Sequence, residues 1–221
     1  MNETEQTSLI RRIASVVGHE LRNPMAVINN SAYFVRAKLG GSSLDPKVEK
    51  HLKIIESEIA RADRLIGDML TFSRAYEPQF ETKDFDAEIK AAVAAYAAPA
   101  GGKVDFKAGA KGAEAKVDAK ALSDSVRRLL DNAFDAMEGK GKVSVATGVE
   151  KSNVFLTVAD AGPGVDVKVA TTLFDPFVTT KPRGLGLGLS LTRKLTAAAG
   201  GELSVSSTPK GATFKLVLPK A

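Results

Sequence analysis

Cysteine is absent from the 221 residues of this chain, and histidine occurs only twice, at His19 and His51. The first absence excludes disulfides and thiolate metal sites and suits a reducing compartment. The second argues against a His-rich metal site. No apolar run is long enough to span a membrane and no signal peptide is visible, so the expected location is the cytoplasm, either by itself or as the cytoplasmic part of a longer chain. A basic stripe with interleaved aromatics is also missing. The net charge of +5 is modest and spread along the chain, so nucleic acid is not an expected partner. The remaining composition, 44% hydrophobic and 26% charged, is ordinary for a globular protein. The length allows one large domain or two small ones.

The stretch His19-Glu20-Leu21-Arg22-Asn23-Pro24 organises the first third of the chain. Ile10, Ala14, Val17 and Leu21 repeat at helical spacing before it, and Met25, Ile28, Ala32, Val35 and Leu39 step by three and four after it, a seam of the coiled-coil kind. His19 falls about 200° away from that seam, with Asn23 one turn further on the same face. Pro24 removes the amide that would bond the Glu20 carbonyl, which predicts a bend just past the His-Glu pair. A solvated helix residue and a reaction centre both fit this pattern.

The first helix is expected from about Ser8 to Leu39, ended by Gly40-Gly41-Ser42-Ser43. Asp45-Pro46 restarts a second helix that runs to near Tyr76, with Val48, Leu52, Ile55, Ile59, Ala62, Ile66 and Met69 on its stripe. A two-helix hairpin cannot bury both stripes well alone, so pairing as a four-helix bundle in a homodimer is expected. His51 reads as surface. From Gln79 the period changes. Short strands are expected around Phe80–Thr82, Lys103–Lys107 and Ala115–Val117, with a helix to Tyr96 capped by Asp84 or Asp86. Asp118 caps a helix over Ala119–Met137. Strands Lys142–Val149 and Asn153–Ala159 follow, then a Gly-rich span, a helix to Ala199, and a hairpin of Glu202–Ser206 and Ala212–Leu218. The expected architecture is an all-α hairpin over residues 1–76 followed by an α+β sandwich over residues 77–221.

Four stretches of the second region carry chemistry. Asn132, in Asp131-Asn132-Ala133, sits on the flank of a helix's apolar face, where a solvent-facing role and a ligand role are both open. Asp160-Ala-Gly162-Pro-Gly164 follows an apolar strand, and the glycines let a flat ligand approach the backbone, though a plain turn would look the same. Phe174-Asp-Pro-Phe177 precedes a loop with two hydroxyls and two cations, Lys181 and Arg183; a buried aromatic pair holding a loop fits it too. Gly184-Leu-Gly186-Leu-Gly188-Leu-Ser190 opens a helix, where backbone amides make an anion site. It matches neither a Walker loop nor the Rossmann fingerprint.

In this order, these motifs make the chain resemble the sensor histidine kinases of two-component systems, with a dimerisation and phosphoacceptor hairpin followed by a Bergerat-type ATP-binding domain. His19–Pro24 is similar to the phosphoacceptor box, Leu129–Ala133 to the asparagine box and Asp160–Gly164 to the first glycine box. Phe174–Phe177 is similar to the phenylalanine box, Gly184–Gly188 to the second glycine box, and Gly211-Ala-Thr213 to the final glycine-threonine element. Arg61–Arg74 resembles the end of the family's second helix. The resemblance implies that His19 accepts the phosphoryl group, that Glu20 holds the imidazole tautomer and acts as general base, and that Asn23 orients a water for dephosphorylating a partner's phospho-aspartate. It implies that Asn132 helps hold Mg²⁺, and that Asp160 takes the adenine amine, with Thr213 nearby. Gly162 and Gly164 would shape the base pocket, the amides of Gly184, Gly186 and Gly188 would face the phosphates, and Lys181 and Arg183 would be phosphate contacts.

The implied protein is an ATP-dependent protein histidine kinase core. It autophosphorylates on His19 and passes the phosphoryl group to an Asp in the receiver domain of a response regulator. A phosphatase-dominant protein, a degenerate nucleotide-binding scaffold and a gyrase-like ATPase are the alternatives. Two positions depart from the family pattern. Arg128 stands where an earlier Asn is common, and Asp135 stands where a basic residue is common. Both resemble the short-lid branch similar to nitrogen-regulation kinases.

Overall fold

Two long helices take up the first third of the chain, as the seven-residue spacing of their apolar positions requires. In this computed structural model, residues 3–39, 45–73, 77–181 and 184–221 are described, without the side chains of residues 3–15 and 19. The breaks expected at Gly40–Ser43 and near Tyr76 fall outside the described residues. The chain divides into two compact units, Met1–Ala75 and Tyr76–Ala221.

Helix α1 spans Glu3–Leu39 and continues through Pro24. It starts earlier than the apolar pattern suggests, because the polar residues before Ser8 extend the helix without joining its stripe. Helix α2 spans Pro46–Ser73, and Asp45 opens it by accepting the Lys47 amide at 2.7 Å. Leu52, Ile59, Ile66 and Leu70 of α2 are buried against α1, where Gly18 and Ala32 are buried in turn. The helices approach closely at Gly18, where a Cβ would stand 2.9 Å from the Leu70 side chain. Arg36 and Glu56 pair across the hairpin at 2.9 Å. Val17, Leu21, Ile28, Val35 and Leu39 of α1 and Val48 and Ile55 of α2 stay about 40% exposed in the single chain.

The second unit is a two-layer sandwich. Its strands and helices are β1 (Glu81–Asp84), α3 (Phe85–Ala94), β2 (Gly102–Lys107), β3 (Glu114–Val117), α4 (Ala119–Ala136), β4 (Gly141–Glu150), β5 (Asn153–Ala159), α5 (Gly188–Ala198), β6 (Glu202–Thr208) and β7 (Gly211–Pro219). β1 and β3 form a small antiparallel pair, and the main sheet has the order β2-β4-β5-β7-β6. Its β2–β4 pairing is parallel and the rest antiparallel. Alternation along the strands sets one face inward, with Val143, Val145, Val154, Leu156, Val158, Phe214, Leu216 and Leu218 buried in the same core as Val126, Leu129, Leu130 and Ala133 of α4. Each such side chain contributes about 1.5–3 kcal/mol by burial.

On the opposite face of the sheet Phe155 pairs with Val217 across β5 and β7 and with Gly148 of β4. A Cβ on Gly148 would meet its ring at 2.4 Å, and the Lys215 ammonium stands 4.7 Å from the ring centre. The open choice of cap for α3 resolves in favour of Asp84, which accepts the Ala87 amide at 2.8 Å. Asp86 instead accepts the amides of Ala110 and Lys111 and the Thr147 hydroxyl, tying the loop after β2 to β4. Asp118 caps α4 through the Ala121 amide at 3.0 Å.

Candidate nucleotide site

One turn of α4 forms the floor of the site. The face carrying Leu122, Val126, Leu129 and Ala133 goes into the core. Asn132 and Asp135 are three residues apart, which puts them on one side of the helix. The Lys181 ammonium, carried by the loop ahead of α5, bridges them. Its Nζ donates to Asn132 Oδ1 and to Asp135 Oδ2, each at 2.7 Å. Arg128, one turn earlier, is buried.

Asp160 directly follows β5 beside this turn. Its Oδ1 accepts the Gly162 amide at 2.9 Å and the Ala212 amide at 3.3 Å. Two backbone donors thus fix the carboxylate at the strand end. Gly162 is pressed against α4, where a Cβ would stand 3.1 Å from the Ala136 side chain and carbonyl. Gly164 has φ +78°, and a Cβ there would meet the Thr208 carbonyl at 2.1 Å. The next amide, of Val165, donates to Ser207 Oγ at 2.7 Å. Close approach therefore demands glycine at 164 and leaves little room for a side chain at 162, and the two sew the loop to α4 on one side and to the β6–β7 turn on the other.

The aromatic stretch splits in two. Phe174 packs against the core, with the Arg193 guanidinium 5.9 Å from its ring centre. Phe177 is exposed and holds φ +65°, a backbone region that an aromatic residue enters at a cost. Its amide donates to the Gly186 carbonyl at 3.0 Å. Gly186 itself has φ +66°, and a Cβ there would lie 2.6 Å from the Phe177 carbonyl carbon and the Val178 oxygen. A Cβ on Gly184 would meet Thr179 Oγ1 at 2.9 Å, whereas one on Gly188 meets nothing within 4 Å. Gly188 begins α5, whose N-cap residue, Leu187, makes no side-chain capping bond. The first amides of α5 therefore lack the usual side-chain acceptor, the condition under which a helix N-terminus takes an anion.

The structure thus brings Asn132, Lys181, Asp160 and Gly162 around one turn of α4, with the glycine loop leading into α5. It sets Thr213 apart from them. Ala212 and Phe214 are buried, so alternation turns Thr213 to the other face of β7, opposite Ala159. The Ala212 amide is what reaches Asp160. Arg183 lies outside the described residues, as does the side chain of His19, while Glu20 and Asn23 are exposed on α1. Sequence reading missed the part played by Asp135. Its place three residues after Asn132 was the available signal, but its lysine partner is 46 residues away.

The comparisons with known proteins fall on the same two regions. Residues 9–77 match the family model of the His Kinase A (phospho-acceptor) domain. Residues 117–221 match that of the histidine kinase-, DNA gyrase B- and HSP90-like ATPases. The signal transduction histidine-protein kinase AtoS of Escherichia coli (strain K12) is 30% identical over 224 residues, covering 99% of this chain and 36% of that protein. The chain thus carries, in order, matches to the two domains of a histidine kinase core.

The sensory histidine kinase/phosphatase NtrB of Rhodobacter capsulatus is 26% identical, over 95% of this chain and 62% of its own length. A crystal structure of the histidine kinase ThkA in complex with the response regulator protein TrrA has the same fold, with a TM-score of 0.67 at 21% identity over 99% of this chain and 64% of that one. The chain spans 36% to 50% of the length of the first six curated relatives. Among the described residues, no helix is long and apolar enough to cross a membrane. No group of three or more His, Cys, Asp or Glu there could hold a metal.

Proposed function

We propose that this chain is an ATP-dependent protein histidine kinase core that phosphorylates itself on His19 and passes the group to an aspartate of a response regulator. The observation that carries the reading is the presence, on one chain, of a phospho-acceptor match over the helical hairpin and an ATPase match over the sandwich. Residues 1–76 would present the acceptor and residues 77–221 would bind ATP. The hairpin also weighs against a gyrase-like ATPase, which would not need it.

Each proposed role follows from local chemistry. Asp160 accepts the adenine exocyclic amine through Oδ2, since both backbone amides on it use Oδ1. Gly162 and Gly164 keep the base pocket open. The amides of Gly184, Gly186 and Gly188 face the phosphates, with Lys181 and Arg183 as cationic contacts. Thr213, on the other face of its strand, has no part in base binding. Asn132 offers an amide oxygen to Mg²⁺. The donor set fits a hard cation, because the oxygens of Asn132 and Asp135 already hold an ammonium. When bound, Mg²⁺ would neutralise the triphosphate.

Glu20 holds the proton on one imidazole nitrogen of His19, so the other carries a free lone pair. That nitrogen bonds to the γ-phosphorus as the bond from phosphorus to the β–γ bridging oxygen breaks. ADP leaves with the electron pair, and Glu20 takes the ring proton that would otherwise leave the imidazole cationic. Positioning and charge neutralisation supply most of the acceleration in such transfers.

Incubation with γ-labelled ATP and Mg²⁺ tests this. An acid-labile, alkali-stable phosphoprotein is expected from the native chain and none from His19→Gln. Nucleotide binding without label in either would overturn the kinase reading. A second activity, dephosphorylation of the regulator, is favoured by exposed Asn23 four residues after His19 and by the similarity to a kinase/phosphatase. Homodimerisation through the half-exposed stripes of α1 and α2 completes the reading.

A further inference from the structure

Lys181 stands where a metal ligand set would be used. Its ammonium sits 2.7 Å from Asn132 Oδ1 and 2.7 Å from Asp135 Oδ2, an amide oxygen and a carboxylate oxygen on one helix face. These are the donor types that a hard divalent ion takes at about 2.0–2.1 Å. Two cations cannot both lie on one such oxygen pair, because like charges a few ångströms apart repel strongly wherever water is partly excluded.

The backbone of Lys181 is fixed separately from its side chain. Its amide donates to Thr179 Oγ1 at 3.0 Å, and its carbonyl accepts the Gly184 amide at 3.2 Å. The ammonium can therefore leave by rotation of its own four-carbon stem. Little holds it: the Lys181 side chain is 39% exposed and that of Asp135 is 58% exposed, and exposed ion pairs are weak.

We propose that Lys181 is a tethered cation that competes with the divalent metal for Asn132 and Asp135, and that Asp135 is a metal ligand alongside Asn132. The proposal rests on the ATP-binding reading above and adds a residue and a competition to it. Lysine neutralises the carboxylate when no metal is bound. As Mg²⁺ arrives with the triphosphate, the ammonium vacates the oxygens and has four phosphate charges to move toward. Metal and lysine thus exchange positions, and the net charge around Asp135 never departs far from neutral.

The test uses the full chain and two readouts. Binding of a fluorescent ADP analogue in EDTA reports on the nucleotide site alone. Binding of Mn²⁺, followed by electron paramagnetic resonance at saturating non-hydrolysable ATP analogue, reports on the metal. Lys181→Met is expected to tighten Mn²⁺ binding several-fold, and Lys181→Arg, which keeps the charge, to leave it near the native value. Asp135→Asn is expected to weaken Mn²⁺ binding roughly tenfold or more.

Unchanged or weakened Mn²⁺ affinity in Lys181→Met would overturn the competition, and unchanged affinity in Asp135→Asn would overturn the ligand role. If the native chain bound no nucleotide in EDTA or with metal, the ATP-binding reading would fail and this inference with it. Native nucleotide binding with unresponsive metal affinities would remove the inference alone.

Discussion

Gly186 and Gly188 are two residues apart in one glycine repeat, yet they have different reasons to be glycine. Gly186 combines φ +66° with backbone atoms 2.6 Å from where a Cβ would be. Gly186→Ala is therefore expected to lower stability by about 1–3 kcal/mol, read as a fall in the urea midpoint. A Cβ on Gly188 meets nothing within 4 Å, so Gly188→Ala should stay within about 0.5 kcal/mol of the native protein. Its nucleotide affinity is still expected to fall about tenfold, since phosphates must approach the amides that open α5. Retained affinity would show that the ligand, like the fold, has no use for that glycine. At this scale the sequence was a good guide to which residues matter and a poor one to what they touch. Asn132 and Asp160 could be picked out by type and place, but the Lys181 bridge spans 49 residues to Asn132. The orientation of Thr213 was legible in the alternation of Phe214, Leu216 and Leu218 with Thr213 and Lys215, and only the resemblance had placed it beside the base.

Caps and periodicity decided the elements. Asp118 could be read as the cap of α4 because the acceptor precedes the donor it serves by three residues. The strands on either side of the Glu150–Asn153 turn alternate cleanly enough to fix their inward faces. The parallel pairing of β2 with β4 could not be read, because the two are separated by β3 and α4 and nothing in either strand encodes its neighbour. Within the hairpin, the contact of Gly18 with Leu70 gives a test of helix packing. Gly18→Val is expected to cost about 1–3 kcal/mol by overfilling the contact. Combined with Leu70→Ala, it should cost less than the sum of the two single changes, by at least about 0.5 kcal/mol in a double-mutant cycle. Strict additivity would mean that the two helices are not in contact at that level.

At the scale of the whole molecule, the two units bury their apolar residues differently. The sandwich closes its core within one chain, while the hairpin leaves Leu21, Ile28, Val35 and Ile55 each more than 40% exposed. Sedimentation is expected to find a dimer for the native chain and a monomer for Ile28→Glu, because a carboxylate cannot be buried unpaired in an apolar seam. A dimer that persists in the variant would place the interface elsewhere. The division at residues 75 and 76 then gives this protein two stabilities. One belongs to a sandwich whose unfolding is unimolecular and independent of dilution. The other would belong to a helical seam that the proposed dimer completes, and it would shift with concentration by mass action. A single melting temperature would average two transitions that obey different laws, and dilution alone would pull them apart.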